Sequence, residues 1–186
     1  MEALLPALVA CLLAEVAGRV QLTTEAYAPQ QRALTLGAAL ALSTAISLAI
    51  GAAGGAFMAR MVTYEARTLL LGLALILTGG TLLIRAKADR LAEPLAESLR
   101  GAPLWRYLAT QLGDNSQFIV FAFAARGNAP VLAALGGLAG VMLAGALPLM
   151  LDGDFRRLPL ALMRRIAGGL LLAAGLVSAL HALELI

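Results

Sequence analysis

Gln111, Asp114 and Gln117 follow one another at spacings of three in the stretch "TQLGDNSQFIVFAFAARGNAP", with Asn115 and Ser116 between them. On a helix that spacing lines the three along one face. Ninety-six residues earlier, "AEVAGRVQ" sets Glu15, Gly18 and Gln21 in a matching row. Carboxylate, amide and hydroxyl oxygens are the ligands that a hard divalent cation prefers. Glu15 and Asp114 together balance a 2+ charge, and Gln21, Gln117 and Ser116 could fill further positions. Gly18 and Gly113 allow helices to approach closely around them.

Each of these residues also has a plainer use. Glu15 and Arg19 stand four apart and could pair along one helix. Asp114 could cap a broken helix, and Gln21 and Gln117 could do no more than join helices. Cys11 reads as a packing residue. Glu25, with Thr23 and Thr24, reads either as a pathway entrance or as a solvated helix end. His181 reads as an interfacial residue, with a proton role as the alternative.

The solvent around these groups decides their meaning. Of 186 residues, 61% are hydrophobic and 13% charged, and the mean hydropathy is +0.87. A soluble domain is nearer half apolar and a quarter charged, so most of this chain is expected in lipid. Ionisable groups at membrane depth cost several kcal/mol on most scales, so they usually face a cavity and serve a pathway. The opening "MEALLPALVACLLAEVAG" has no basic residue ahead of its apolar run, so it reads as a retained membrane segment rather than a signal peptide.

Six apolar segments can be marked off: Ala3–Ala28, Ala33–Ala59, Thr68–Ile84, Leu104–Ala125, Ala129–Leu151 and Ile166–Leu183. They are rich in Ala and Leu and show no period-two alternation, so helices are expected rather than a barrel. The second and fifth carry no charge, the third is short, and the first and fourth are interrupted by the polar rows. Basic residues set the direction. Ten of the 14 fall on one side (Arg32, Arg85, Lys87, Arg90, Arg100, Arg106, Arg156, Arg157, Arg164 and Arg165), three on the other (Arg60, Arg67 and Arg126), and Arg19 lies inside the first segment. Positive charge stays inside, so the central loop is expected in the cytoplasm and both termini outside. Within that loop, Leu91, Leu95 and Leu99 suggest an amphipathic helix on the inner membrane surface, with a solvated linker as the alternative. "LDGDFRR" reads as a turn beside the membrane rather than a calcium loop.

Sliding the chain on itself by 96 residues pairs Gln21 with Gln117, Glu15 with Gln111, Gly72 with Gly168, Gly79 with Gly175 and Arg85 with His181. Two copies of a three-span unit are therefore expected, residues 1–86 and 104–186, joined by a cytoplasmic linker over 87–103. Three spans is an odd number, so the second copy must cross in the opposite sense. Inverted repeats of this kind are a recurring transporter plan, with the site near the midplane where the copies meet. The expected fold is an all-α integral membrane protein of six transmembrane helices in two inverted three-helix repeats.

At these residues the chain resembles the Gdt-one family of membrane cation/proton antiporters, which includes bacterial manganese exporters. Each copy in that family carries Glu-x-Gly-Asp-(Lys/Arg)-(Ser/Thr), usually followed by Gln. Here "QLGDNSQ" keeps Gly113, Asp114, Ser116 and Gln117, and "EVAGRVQ" keeps Glu15, Arg19 and Gln21. The chain departs from the pattern at Gln111 and Gly18, which stand where the family has carboxylates, and at Ala17 and Val20. The resemblance implies an inner-membrane exporter of Mn2+, with Ca2+ as the alternative ion, exchanged for protons. Its candidate ion ligands are Glu15, Asp114, Gln21, Gln111, Ser116 and Gln117. No cofactor is expected, since the metal is cargo. The expected partners are the cation, protons and the bilayer, without nucleic acid, and a homodimer is an open option.

Other classes are weighed by the same residues. No Gly-x-x-x-x-Gly-Lys stretch is present to cradle a nucleotide, so a gradient must drive transport. One His and one Cys supply no nucleophile–base pair, which argues against an enzyme. A membrane scaffold with a degenerate site is the alternative of a different class, and an exporter of small organic solutes is a third reading.

Overall fold

The structure is a computed structural model that describes residues 3–29, 31–85, 103–127, 129–151 and 159–183. The regions expected as a linker helix, 87–103, and as the turn "LDGDFRR" lie almost wholly outside these residues. Among the described residues the chain is helical throughout, with no strand. The helices are α1 (Leu4–Ala14), α2 (Arg19–Tyr27), α3 (Ala33–Met58), α4 (Tyr64–Arg85), α5 (Pro103–Gln111), α6 (Asn115–Arg126), α7 (Pro130–Met150) and α8 (Leu160–Ala182).

Helices α3, α4, α7 and α8 are long and apolar enough to cross a membrane, and α1 with α2, bent by 64° at their break, would make a fifth crossing. The first expected segment is therefore two helices rather than one. So is the fourth: α5 and α6 have 9 and 12 residues, each too short to cross alone. Both interruptions fall on the polar rows, where carbonyls and N–H groups turn from the helix ladder to side chains. Two further boundaries differ from expectation. The third segment starts at Tyr64 rather than Thr68, because Thr68 returns its hydroxyl to the Tyr64 carbonyl at 3.0 Å and stays helical. The sixth starts at Leu160 rather than Ile166, because Arg164 turns inward and is buried instead of ending the apolar run.

The packing is that of a protein solvated by lipid. Leu42, Ile46, Ile50 and Phe57 on α3 and Ile166, Leu170 and Val177 on α8 are exposed, while Ser43, Thr44 and Ser47 on α3 are buried. With apolar groups outward, close van der Waals packing has to join the helices, and small residues make that possible. α4 packs along α8 and α1 along α7, while α3 packs against both α6 and α7. On the α4–α8 seam a methyl group at Gly79 would lie 2.6 Å from the Gly168 carbonyl, and one at Gly175 would lie 2.7 Å from the Gly72 carbonyl. These contacts are reciprocal in the 96-residue register, since 72 corresponds to 168 and 79 to 175.

The neighbouring Gly80 faces open space, which separates packing from propensity. Gly79→Ala is expected to cost about 1–3 kcal/mol through overpacking. Gly80→Ala is expected to be neutral or to gain up to about 1 kcal/mol of helix propensity. Thermal unfolding of the purified variants in detergent checks the pair.

Candidate functional site

The first break runs from Glu15, which ends α1, to Gly18, which starts α2. Ala17 between them has φ of 51°, a left-handed conformation that costs a non-glycine residue about 1–2 kcal/mol. Such a conformation persists only where its surroundings impose it. Both backbone groups of Ala17 are held by side chains: its N–H donates to Gln21 Oε1 at 2.7 Å, and its carbonyl accepts from the buried Arg164 guanidinium on α8. Gln21 is also tied to α7, its Nε2 donating to the Ala144 carbonyl at 3.0 Å.

The second break repeats this geometry 96 residues on. Gly113 has φ of 79°, which glycine adopts without steric cost. Its N–H donates to Gln117 Oε1 at 2.6 Å, the counterpart of the Ala17–Gln21 bond. The N–H of Asp114 donates to the Gln111 carbonyl at 3.2 Å, as that of Gly18 does to the Glu15 carbonyl at 2.8 Å. Gly18 and Asp114 are the matching N-caps, both extended, with φ of −80° and −82°.

The two breaks face each other. Glu15 is buried and its Oε1 accepts from Ser116 Oγ at 2.5 Å. The Asp114 carboxyl and the Val20 N–H are its other hydrogen-bonding neighbours. A negative group thus sits on the first turn of α2, where the helix dipole favours it. Gly18 leaves the space for it: a Cβ there would lie 2.7 Å from Glu15 Oε2. Arg19 is exposed and begins α2, so the break removes the i, i+4 geometry that a Glu15–Arg19 pair needs. Asp114 occupies an N-cap position but makes no side-chain capping bond there, and its carboxyl turns to Glu15 instead.

The remaining expected residues divide. Gln21 and Gln117 commit their amide oxygens to the breaks. Gln111 is buried, and its Nε2 donates to Thr44 Oγ1 at 2.6 Å while its carbonyl accepts from Ser47 Oγ at 2.9 Å. Cys11 is buried among core residues. His181 is exposed on the last turn of α8. Sequence reasoning missed three contributors. Arg164 had been counted as a loop charge; its place inside an otherwise apolar helix was the available signal. The α3 polar stripe Ser43, Thr44 and Ser47 was visible as "STAIS", one face of a charge-free helix. Asn115, whose Nδ2 donates to Thr81 Oγ1 at 3.2 Å, ties the second break to α4.

On one side of the carboxyl pair α2 meets α5, where the Thr24 and Tyr107 hydroxyls hydrogen-bond at 2.8 Å and Arg106 lies over the Tyr27 ring at 5.8 Å. In the 96-residue register Thr24 corresponds to Val120 and Tyr107 to Cys11. Those two buried residues pack together against Gly137, where α1, α6 and α7 converge.

Among the described residues no group of three or more His, Cys, Asp and Glu could hold a metal. A cation here would need hydroxyl, amide or carbonyl oxygens beside the two carboxylates. Residues 104–185, the half containing Asp114 and Ser116, match the family model described as "Divalent cation/proton antiporter GDT1". That part of the chain is similar to the GDT1 family. The match begins on α5 and runs past the end of α8, so it takes in the second break and its Gln117 brace. No curated protein and no solved structure gives a match.

The two glutamine braces are expected to differ in weight. Ala17 is buried and strained, whereas Gly113 is exposed and relaxed. Gln21→Ala leaves a buried N–H unsatisfied beside a strained alanine and is expected to destabilise by about 1–3 kcal/mol, whereas Gln117→Ala, which frees the N–H of an unstrained glycine, is expected to cost less. Denaturant unfolding in detergent micelles compares them.

Proposed function

We propose that the chain is a secondary transporter that exports divalent cations, Mn2+ with Ca2+ as the alternative, in exchange for protons. One observation carries the reading: the carboxyls of Glu15 and Asp114, from two separate helix breaks, come together, and Ser116 donates to Glu15 beside them. Two carboxylates in contact repel each other, and either a divalent cation or protons relieve that repulsion. Competition of this kind is what exchange requires. Glu15, Asp114 and Ser116 supply the first oxygens of the site, with Gln111 behind them, while Gln21 and Gln117 hold the breaks in shape.

The same reading includes six crossings in two inverted three-helix units, residues 1–86 and 104–186. Three sets of facts support it: the 96-residue register of the breaks, their matching brace bonds, and the reciprocal glycine contacts of α4 and α8. A two-fold axis lying in the membrane plane produces that pattern. In the proposed orientation, in an inner membrane, the central linker is cytoplasmic and both termini are external.

A non-transporting scaffold is the second reading. Gly18 favours it, because the Glu15 carboxylate lies where a side chain at that position would go. Tracer Mn2+ flux into proteoliposomes, with internal pH followed in parallel, separates the two. Wild type is expected to move Mn2+ against protons, and Glu15→Gln and Asp114→Asn are each expected to lower the rate by about tenfold or more. Equal flux in all three proteins removes the site assignment. Absence of Mn2+ and Ca2+ flux in well-reconstituted wild type favours the scaffold.

A further inference from the structure

Arg164 is one of the few charged side chains drawn into the interior, 4% exposed on a helix whose next two residues, Arg165 and Ile166, face outward. Arginines near helix ends in membranes normally snorkel to the interface. This one reaches inward instead, to the carbonyl of Ala17. That carbonyl belongs to the left-handed residue of the first break, two residues after Glu15. A guanidinium there supplies a charge-assisted bond to a group that lipid cannot satisfy. It also places positive charge at the carbonyl end of α1, while the Glu15 carboxylate lies at the amide end of α2. Each charge thus sits on the helix end whose dipole favours it.

The second break is built differently. The position matching Arg164 is Thr68, whose hydroxyl returns to its own helix at the Tyr64 carbonyl. Gly113 needs no external hold, since its φ of 79° is open to glycine. The guanidinium is therefore found at the break that carries the strain.

We infer that Arg164 is a positioning residue for cation binding: through the Ala17 carbonyl it fixes the first break and thereby holds Glu15 against Asp114 and Ser116. This deepens the transport reading above and rests on it for the ion, though not for the backbone contact. Arg164 does not touch the cation. Without it Ala17 can relax toward an ordinary conformation, and Glu15 leaves the α2 N-terminus.

Two readouts on the full chain test this. The first is the half-saturating concentration of Mn2+ in proteoliposome uptake. Arg164→Met is expected to raise it about tenfold, the weight of one charge-assisted bond, with the maximal rate changed less than about threefold. Arg164→Lys, which can still donate to the carbonyl, is expected to raise it less. In a Glu15→Gln background Arg164→Met is expected to add little, because the group it positions is gone. The second readout is amide hydrogen exchange. Arg164→Met is expected to speed exchange over residues 16–20 and to leave residues 112–116 unchanged.

Unchanged half-saturation in Arg164→Met, or a full additional effect in the Glu15→Gln background, overturns the positioning role. So does unchanged exchange over residues 16–20. If Arg164→Met does not fold, Arg164→Gln, which removes the charge and shortens the side chain, decides: a raised half-saturation with faster exchange at 16–20 supports the role, and wild-type values in either overturn it. If wild type moves neither Mn2+ nor Ca2+ while exchange still rises at residues 16–20, the transport reading fails and the structural hold on the break stands.

Discussion

A helix interrupted inside a membrane exposes carbonyls and N–H groups to a medium that cannot bond them. The rest of this structure follows from that constraint. Each break recruits a glutamine one turn ahead to take the stranded N–H. Backbone bonds then tighten the turn, and the next helix starts from an extended N-cap. With the turns closed in this way, their amide ends present unused polarity toward one another. Glu15, Ser116 and Asp114 gather there because a helix amide end is a favourable place for negative charge.

The two breaks solve one problem with different residues. The second uses glycine, which enters the left-handed region freely and needs one side-chain brace. The first uses alanine and is held from two sides, by Gln21 within its own unit and by Arg164 from α8. That makes α8 a support of the first break as well as a packing partner of α4. The contact between residues 17 and 164 thereby joins the two halves of the chain at the site itself.

Much of this was legible in the sequence, because polarity inside an apolar chain has few innocent explanations. The polar rows marked the interruptions of the first and fourth apolar segments and the 96-residue offset aligned them, but each row was expected along one face of a single helix and instead straddles a break. What composition could not show was the division of labour among the polar residues. Gln21 and Gln117 carry the right atoms for a cation, but a stranded N–H lies closer to them, and only backbone geometry reveals it. Arg164 was misread because charge near a segment end is ordinarily interfacial, and its place among apolar residues did not by itself separate it from the outward-facing Arg165. The polar face of α3 was overlooked because hydroxyls barely alter hydropathy. Helix ends moved by four to six residues because charged and hydroxyl residues can continue a helix where apolar runs stop.

The contacts flanking the carboxyl pair have unequal chemistry. Where α2 meets α5, two hydroxyls bond to each other, and either can trade that bond for water at little cost. At the corresponding place between α1 and α6, a thiol and a valine meet against a glycine and offer water almost nothing. Under the transport reading, opening the hydroxyl side toward Glu15 and Asp114 needs the exchange of one side-chain bond. From the thiol side hydration must arrive all at once, by parting the helices. Under the transport reading, the asymmetry of two side-chain pairs becomes an asymmetry in how the two sides of the site open.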